Sequence, residues 1–280
     1  MTVDVGIMQG RLLPPFGGRF QAFPADSWRD EFTAAKEAGL ACIEWIYEVP
    51  NEDRNPMADA AGRDAIRQAV AETGVAVRSI CADYYMEDLL VRPDASVDET
   101  AAAHLSRLIG WAGEMDITYI VLPFVDASSL TGDQARLACL AGLLSGLAPA
   151  ASERGVELHL ETDLPPQAFR QLLDAVGHDA VKANYDIGNS ASLGFDPAEE
   201  LDALGPYLGS VHIKDRVLGG ATVPLGTGNA DFETCFAKFA QHGFSRWYIL
   251  QAARGEDGQE TALAKANRER VESMAEAAGQ

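Results

Sequence analysis

Glu161, Asp186 and His212 each fall at the end of a short apolar run, in His159-Leu-Glu161, Asn184-Tyr-Asp186 and His212-Ile-Lys214. Two carboxylates and an imidazole meeting at one point form a donor set for a hard to borderline divalent ion rather than for a thiolate-loving one. Gln251, which ends Ile249-Leu-Gln251, adds a fourth donor through its amide oxygen. Side chains on a strand alternate between faces, so His159 shares a face with Glu161, Asn184 with Asp186, and His212 with Lys214. These groups act together only if the runs that carry them are neighbouring strands of one sheet.

The rest of the chain supplies that sheet. Apolar runs alternate with longer, Ala-rich amphipathic stretches along the whole length, which is the pattern of βα units around a parallel sheet. The runs predict strands over Val3–Met8, Ala41–Trp45, Ala76–Ile80, Tyr119–Leu122, Glu157–Glu161, Val181–Asp186, Ser210–Lys214 and Trp247–Gln251. Between them, helices are expected over roughly 27–38, 58–72, 97–114, 134–154, 166–175, 197–204, 232–241 and 261–277. Gly39, Gly74, Gly155, Gly177 and Gly243 each follow a helical run and fit its left-handed C-terminal position. Asp26 or Ser27, and Asp196 before Pro197, are expected helix starts. Eight such units in 280 residues, with no linker and no Gly-rich nucleotide fingerprint after the first strand, predict one domain over 1–280, an α/β single (β/α)8 TIM barrel. Catalytic groups of a barrel stand at the C-terminal ends of its strands. Those ends here include Met8-Gln-Gly-Arg11, Glu44-Trp-Ile-Tyr-Glu48, Ser79-Ile-Cys-Ala-Asp83 and Pro123-Phe-Val-Asp126 as well as the four runs above.

The order Glu161, Tyr185-Asp186-Ile-Gly-Asn189, His212-Ile-Lys-Asp215-Arg216 and Pro224-Leu-Gly-Thr-Gly228 before Asp231-Phe232 resembles the xylose-isomerase-like sugar phosphate isomerase/epimerase superfamily. Gly6-Ile-Met-Gln-Gly-Arg-Leu12, Phe20-Gln-Ala-Phe-Pro24 and Ile43-Glu-Trp-Ile-Tyr-Glu48 resemble one branch of it. The resemblance implies one divalent ion, Mn²⁺ first and Mg²⁺, Co²⁺ or Zn²⁺ after it, held by residues ending strands five to eight. In the tagatose-epimerase type these are Glu, Asp, His and Glu, and the two Glu residues also move protons on opposite faces of a ketose. Glu161, Asp186 and His212 match the first three, whereas Gln251 stands in place of the second Glu. An amide neither takes nor returns a proton near neutral pH. A two-base epimerisation built on Glu161 and residue 251 is therefore closed to this chain, and Glu44 or Glu48 is the expected source of a second base.

The expected activity is isomerisation or epimerisation of a small sugar, sugar phosphate or keto-polyol, through an enediolate formed by proton abstraction beside a carbonyl. Glu161 is expected to act as ligand and base, and Lys214 as an electrophilic helper. Asn189, Arg216, Arg254, Arg11, Glu44 and His159 are the remaining candidates for substrate contact, the three arginines as a rim for a phosphate or carboxylate. A lyase of the inosose-dehydratase type, which begins with the same abstraction, is the alternative, and a non-catalytic ligand-binding barrel a more distant one.

Composition bounds the partners. With 42 Asp and Glu against 22 Lys and Arg, a net charge of −20 opposes encounter with duplex nucleic acid or an anionic membrane. Cys42, Cys81, Cys139 and Cys235 form no close pair and read as reduced thiols. The start of the chain has no basic segment ahead of an apolar one, and no long apolar run is free of charge, so a cytoplasmic protein without a membrane span is expected. A homodimer or higher homo-oligomer is the expected assembly.

Overall fold

The strands close into a ring. In the computed structural model, which describes residues 3–280, eight parallel strands form the barrel. They are β1 (Val5–Met8), β2 (Cys42–Ile46), β3 (Ala76–Cys81), β4 (Tyr119–Phe124), β5 (Glu157–Thr162), β6 (Val181–Asp186), β7 (Leu208–Ile213) and β8 (Tyr248–Leu250). Each is hydrogen-bonded to its sequence neighbours, and β1 closes the ring on β8. Met1 and Thr2, part of the start read above as lacking a leader, lie outside the described residues.

Helices fill the connections as the periodicity predicts, with differences that have local causes. Asp196 caps its helix by accepting from the amides of Ala198 and Glu199. Asp26 instead pairs with Arg54, and the first α-helix begins only at Asp30. A helix over Ile187–Leu193 was not foreseen. It starts directly at the end of β6 because Asp186 accepts from the Asn189 amide, and because Gly188 has no Cβ, which would stand 2.6 Å from Lys214 Cγ. The helix Gln134–Ser152, expected over 134–154, is long and apolar enough by composition alone to cross a membrane. Its Leu137, Leu140, Leu144 and Ala148 are buried as barrel packing, between β4 and β5 in the chain.

Two buried carboxyls give the fold a pH dependence. Glu31 is fully buried and accepts from the amides of Gly10 (2.7 Å) and Leu12 (3.4 Å), fixing the start of the long β1 loop. Burial pushes its carboxyl up to about 7, against the lowering effect of those amides. Glu200, bonded by the hydroxyls of Tyr185 and Ser190, is raised to about 7 by the same cause. A carboxyl raised in the folded state contributes stability that is complete below the unfolded value near pH 4.5 and is lost as pH rises through about 7. Glu31→Gln is therefore expected to differ little from wild type at pH 5. At pH 8 it should gain on the order of 2 kcal/mol relative to wild type. Thermal unfolding of both proteins from pH 5 to 8 checks this, and a pH-independent difference would refute it.

Candidate active site

Alternation on β5, β6 and β7 sends one column of polar side chains through the barrel. At its base Arg246 pairs with Glu157, whose Oε2 lies 2.9 Å from His159 Nε2. His159 Nδ1 lies 2.8 Å from Ser210 Oγ, which donates to Asn184 Oδ1 at 2.7 Å. Above this sit Glu161, Asp186 and His212. The sheet register sets Asp186 directly beside His212.

The three expected ligands converge. One donor atom from each of Glu161, Asp186 and His212 lies within 4.8 Å of the others, and all three residues are buried. His212 Nδ1 stands 3.4 Å from Glu161 Oε2 and 3.9 Å from Asp186 Oδ2. Its Nε2 lies 2.7 Å from Glu44 Oε1, a bond in which Nε2 donates, so that Nδ1 is the nitrogen that would be offered to an ion. Burial works to lower this imidazole, but the charges and hydrogen bonds of Glu44 and Glu161 outweigh it and raise it to about 10. Two carboxylates aimed at a buried ring nitrogen whose far side is already oriented are a good fit to a divalent ion.

Around this cluster each group has a defined task. Glu161 accepts from Asn189 Nδ2 (2.6 Å) on one oxygen and from Asn184 Nδ2 (3.2 Å) on the other. Lys214 Nζ donates to Asp186 Oδ2 (3.2 Å) and to Gln251 Oε1 (3.1 Å), so the ammonium stands between the Gln251 amide oxygen and Asp186. Arg216 donates to Asn189 Oδ1 and to the Gly220 carbonyl. Glu161, Asn189, Lys214, Arg216 and Gln251, with Phe20, line one open cleft at the barrel mouth.

The other expected substrate contacts are corrected. His159 shares the inward face with Glu161 but lies one layer deeper, fully buried, stacked on Tyr119 with ring centroids 4.1 Å apart. Burial pushes it down to about 4, against the raising effect of Glu157, so it is a neutral internal group. Glu44 lies beneath the His212 ring, fully buried, and its second oxygen accepts from Ser79 Oγ at 2.7 Å. Glu48 is bound by Arg19 and by the Phe23 amide, which makes it a latch on the β1 loop and not a free base. Arg254 spends its donors on the carbonyls of Gly10, Leu13 and Phe20. Arg11 binds the Phe20 carbonyl and the Gln21 side chain. Both arginines hold the β1 loop down instead of rimming the cleft, and Arg216 alone of the three lines it.

Gln21 and Asp83 are among the lining residues that the sequence reading did not single out as site candidates. Asp83 was visible as a strand end, since Ser79, Cys81 and Asp83 alternate onto one face. Asp215, within a motif singled out above, is structural: its carboxylate accepts from the amides of Gly226, Gly228 and Ala230 and so folds the Pro224–Gly228 loop.

The amide at position 251 has a measurable consequence. With a carboxylate there, the ion would gain a third negative ligand beside Lys214. Gln251→Glu is expected to retain Mn²⁺ about tenfold more tightly, because affinity at oxygen-rich sites follows ligand charge. Chelator competition on both proteins checks it, and tighter retention by wild type would refute it.

Comparison with known proteins bears on the family and the fold. The sequence profile described as xylose isomerase-like TIM barrel matches residues 32–274. L-ribulose-5-phosphate 3-epimerase UlaE of Salmonella heidelberg (strain SL476) is 29% identical over 248 residues, covering 85% of this chain and 86% of that protein. Among solved structures, a xylose isomerase domain protein from Planctomyces limnophilus superposes with a TM-score of 0.76 at 15% identity, over 98% of both chains. A xylose isomerase-like TIM barrel protein from Mycobacterium smegmatis, in complex with magnesium, does so at 0.71 and 21% identity, over 99% of this chain and 97% of that one. The extent of the profile match, together with the closed eight-stranded barrel, places the chain in the xylose isomerase-like TIM barrel family.

Proposed function

We propose that this enzyme is a divalent-metal-dependent epimerase of a small ketose or ketose phosphate, inverting a carbon next to the carbonyl by way of an enediolate. The observation that carries the reading is the convergence of Glu161, Asp186 and His212 at a cleft in a chain similar over 85% of its length to L-ribulose-5-phosphate 3-epimerases. Glu161, Asp186, His212 and the Gln251 amide would hold the ion, which when bound draws electron density from the substrate oxygens and so acidifies the adjacent C–H bond. Glu161 takes the proton, its orientation set by the amides of Asn184 and Asn189. Lys214 donates toward the oxygen that gains charge, from its position between Asp186 and Gln251. Phe20 covers part of the cleft, and Arg216 offers the phosphate or a terminal hydroxyl a guanidinium.

The test is incubation in D₂O, with and without Mn²⁺, of L-ribulose 5-phosphate, L-ribulose, D-fructose and D-tagatose, followed by NMR. Deuterium entering the carbon beside the carbonyl, with inversion, and only with the ion present, is the expected result. Loss of a hydroxyl as water, or no exchange on any of them, would reject the epimerase.

A further inference from the structure

Inversion needs a proton removed from one face and one delivered to the other, and Gln251 cannot do the second. Among the described residues the cleft is lined by three acids, Glu161, Asp83 and Asp126. Asp126 is solvent-exposed at the rim. Asp83, following β3, enters two strands round the ring from β5, which carries Glu161, and across the barrel from β7, which carries His212. It is half-buried, and its carboxylate is held from two sides, by Gln21 Nε2 at 2.8 Å and by the Cys81 thiol at 3.3 Å. Gln21 Oε1 in turn accepts from Gln251 Nε2 at 3.1 Å. The amide that replaces the expected carboxylate is therefore linked through a second amide to a carboxylate on the far side of the cleft.

We propose that Asp83 is the second proton-transfer group of this site, delivering a proton to the enediolate face opposite the one served by Glu161. The assignment rests on the epimerase reading above. In the step, Glu161 takes the proton as the C–H bond breaks and the electron pair passes into the enediolate. That pair then forms the new C–H bond with the proton of the Asp83 carboxylic acid, leaving a carboxylate. Glu161 and Asp83 regain their starting forms by exchange with water, so no co-reactant is needed. Asp83 suits the donor's part because burial, with the charges of Glu161 and Glu48, pushes its carboxyl up to about 6 against the hydrogen bonds from Gln21 and Cys81. A useful fraction is then protonated near neutral pH.

The test uses the full-length, Mn²⁺-loaded enzyme in D₂O with L-ribulose 5-phosphate and L-ribulose, comparing wild type with Asp83→Asn and Asp83→Glu. Asp83→Asn is expected to keep deuterium exchange into recovered substrate within about threefold of wild type while inversion falls about 100-fold or more. Asp83→Glu, which keeps the acid, should recover at least about a tenth of the inversion. Inversion by Asp83→Asn within threefold of wild type overturns the assignment and leaves the epimerase reading intact. So does equal loss of exchange and inversion in Asp83→Asn at unchanged melting temperature, which would make Asp83 a substrate-placing group. Should Asp83→Asn fail to fold, a folded Asp83→Glu that exchanges but does not invert overturns it as well. A wild type that neither exchanges nor converts either sugar overturns the epimerase reading, and the role of Asp83 with it.

Discussion

Glu161→Gln is expected to lower turnover by about three orders of magnitude and to abolish deuterium exchange at the carbon beside the carbonyl. Loss of a positioned general base costs 10²- to 10⁴-fold, and Glu161 also contributes a donor to the ion. Gln keeps the volume, and its oxygen can still accept from Asn189. Its amide nitrogen, however, meets Asn184 Nδ2, 3.2 Å from the present oxygen, as a second donor. The two losses separate experimentally. Mn²⁺ affinity, measured by competition without substrate, reports the ligand; exchange at saturating Mn²⁺ reports the base. If exchange at saturating ion persists within tenfold of wild type, the base lies elsewhere, and Lys214 and Asp83 are the groups in the cleft to which it would pass.

The parts of this site legible in the sequence are those that depend on period and position along a strand. Glu161, Asp186 and His212 close three consecutive strands, and a parallel barrel in register brings such ends together whatever the helices outside do. Gly74 and Gly177 were readable for an equally local reason, since each takes a left-handed conformation, at φ of 80° and 64°, just past a helix. Depth and partner choice are not local. His159 and Glu161 have the same parity, yet one is a sealed interior group and the other lines the cleft, because two residues along a strand is a rise of about 6.6 Å. Arg11 and Arg254 stand near strand ends, as anion-binding arginines would, but carbonyls of the β1 loop claim their donors across as many as 244 residues of chain. Asp83 was passed over for the same reason. Its partner Gln21 lies 62 residues earlier, in a loop whose path no periodicity describes.

The same difference between position and partnership gives Glu44 a larger role than direct substrate contact would. Glu44 and His212 are both fully buried, with 2.7 Å between Oε1 and Nε2, and Ser79 Oγ donates to the other oxygen at 2.7 Å. A carboxylate on the far nitrogen of a ligating imidazole fixes its tautomer and raises its basicity, and its loss costs 10- to 100-fold in metal affinity. Glu44→Ala should show that loss in full. It should also lose about 2–4 kcal/mol of stability, because a ring nitrogen and a hydroxyl are left without partners in the barrel interior. Glu44→Gln separates the charge from the hydrogen bonds. Its oxygen can accept from His212 and its nitrogen can donate to Ser79, so the fold should hold within about 1 kcal/mol of wild type. Mn²⁺ affinity should nevertheless fall about tenfold, because a neutral amide does less for the basicity of Nδ1 than a carboxylate. Calorimetric titration with Mn²⁺ and thermal unfolding on the same samples decide the matter. If Glu44→Gln bound the ion as wild type does, Glu44 would act on His212 by hydrogen-bond geometry alone. If it lost stability as Glu44→Ala does, the buried charge itself would be holding this part of the barrel together.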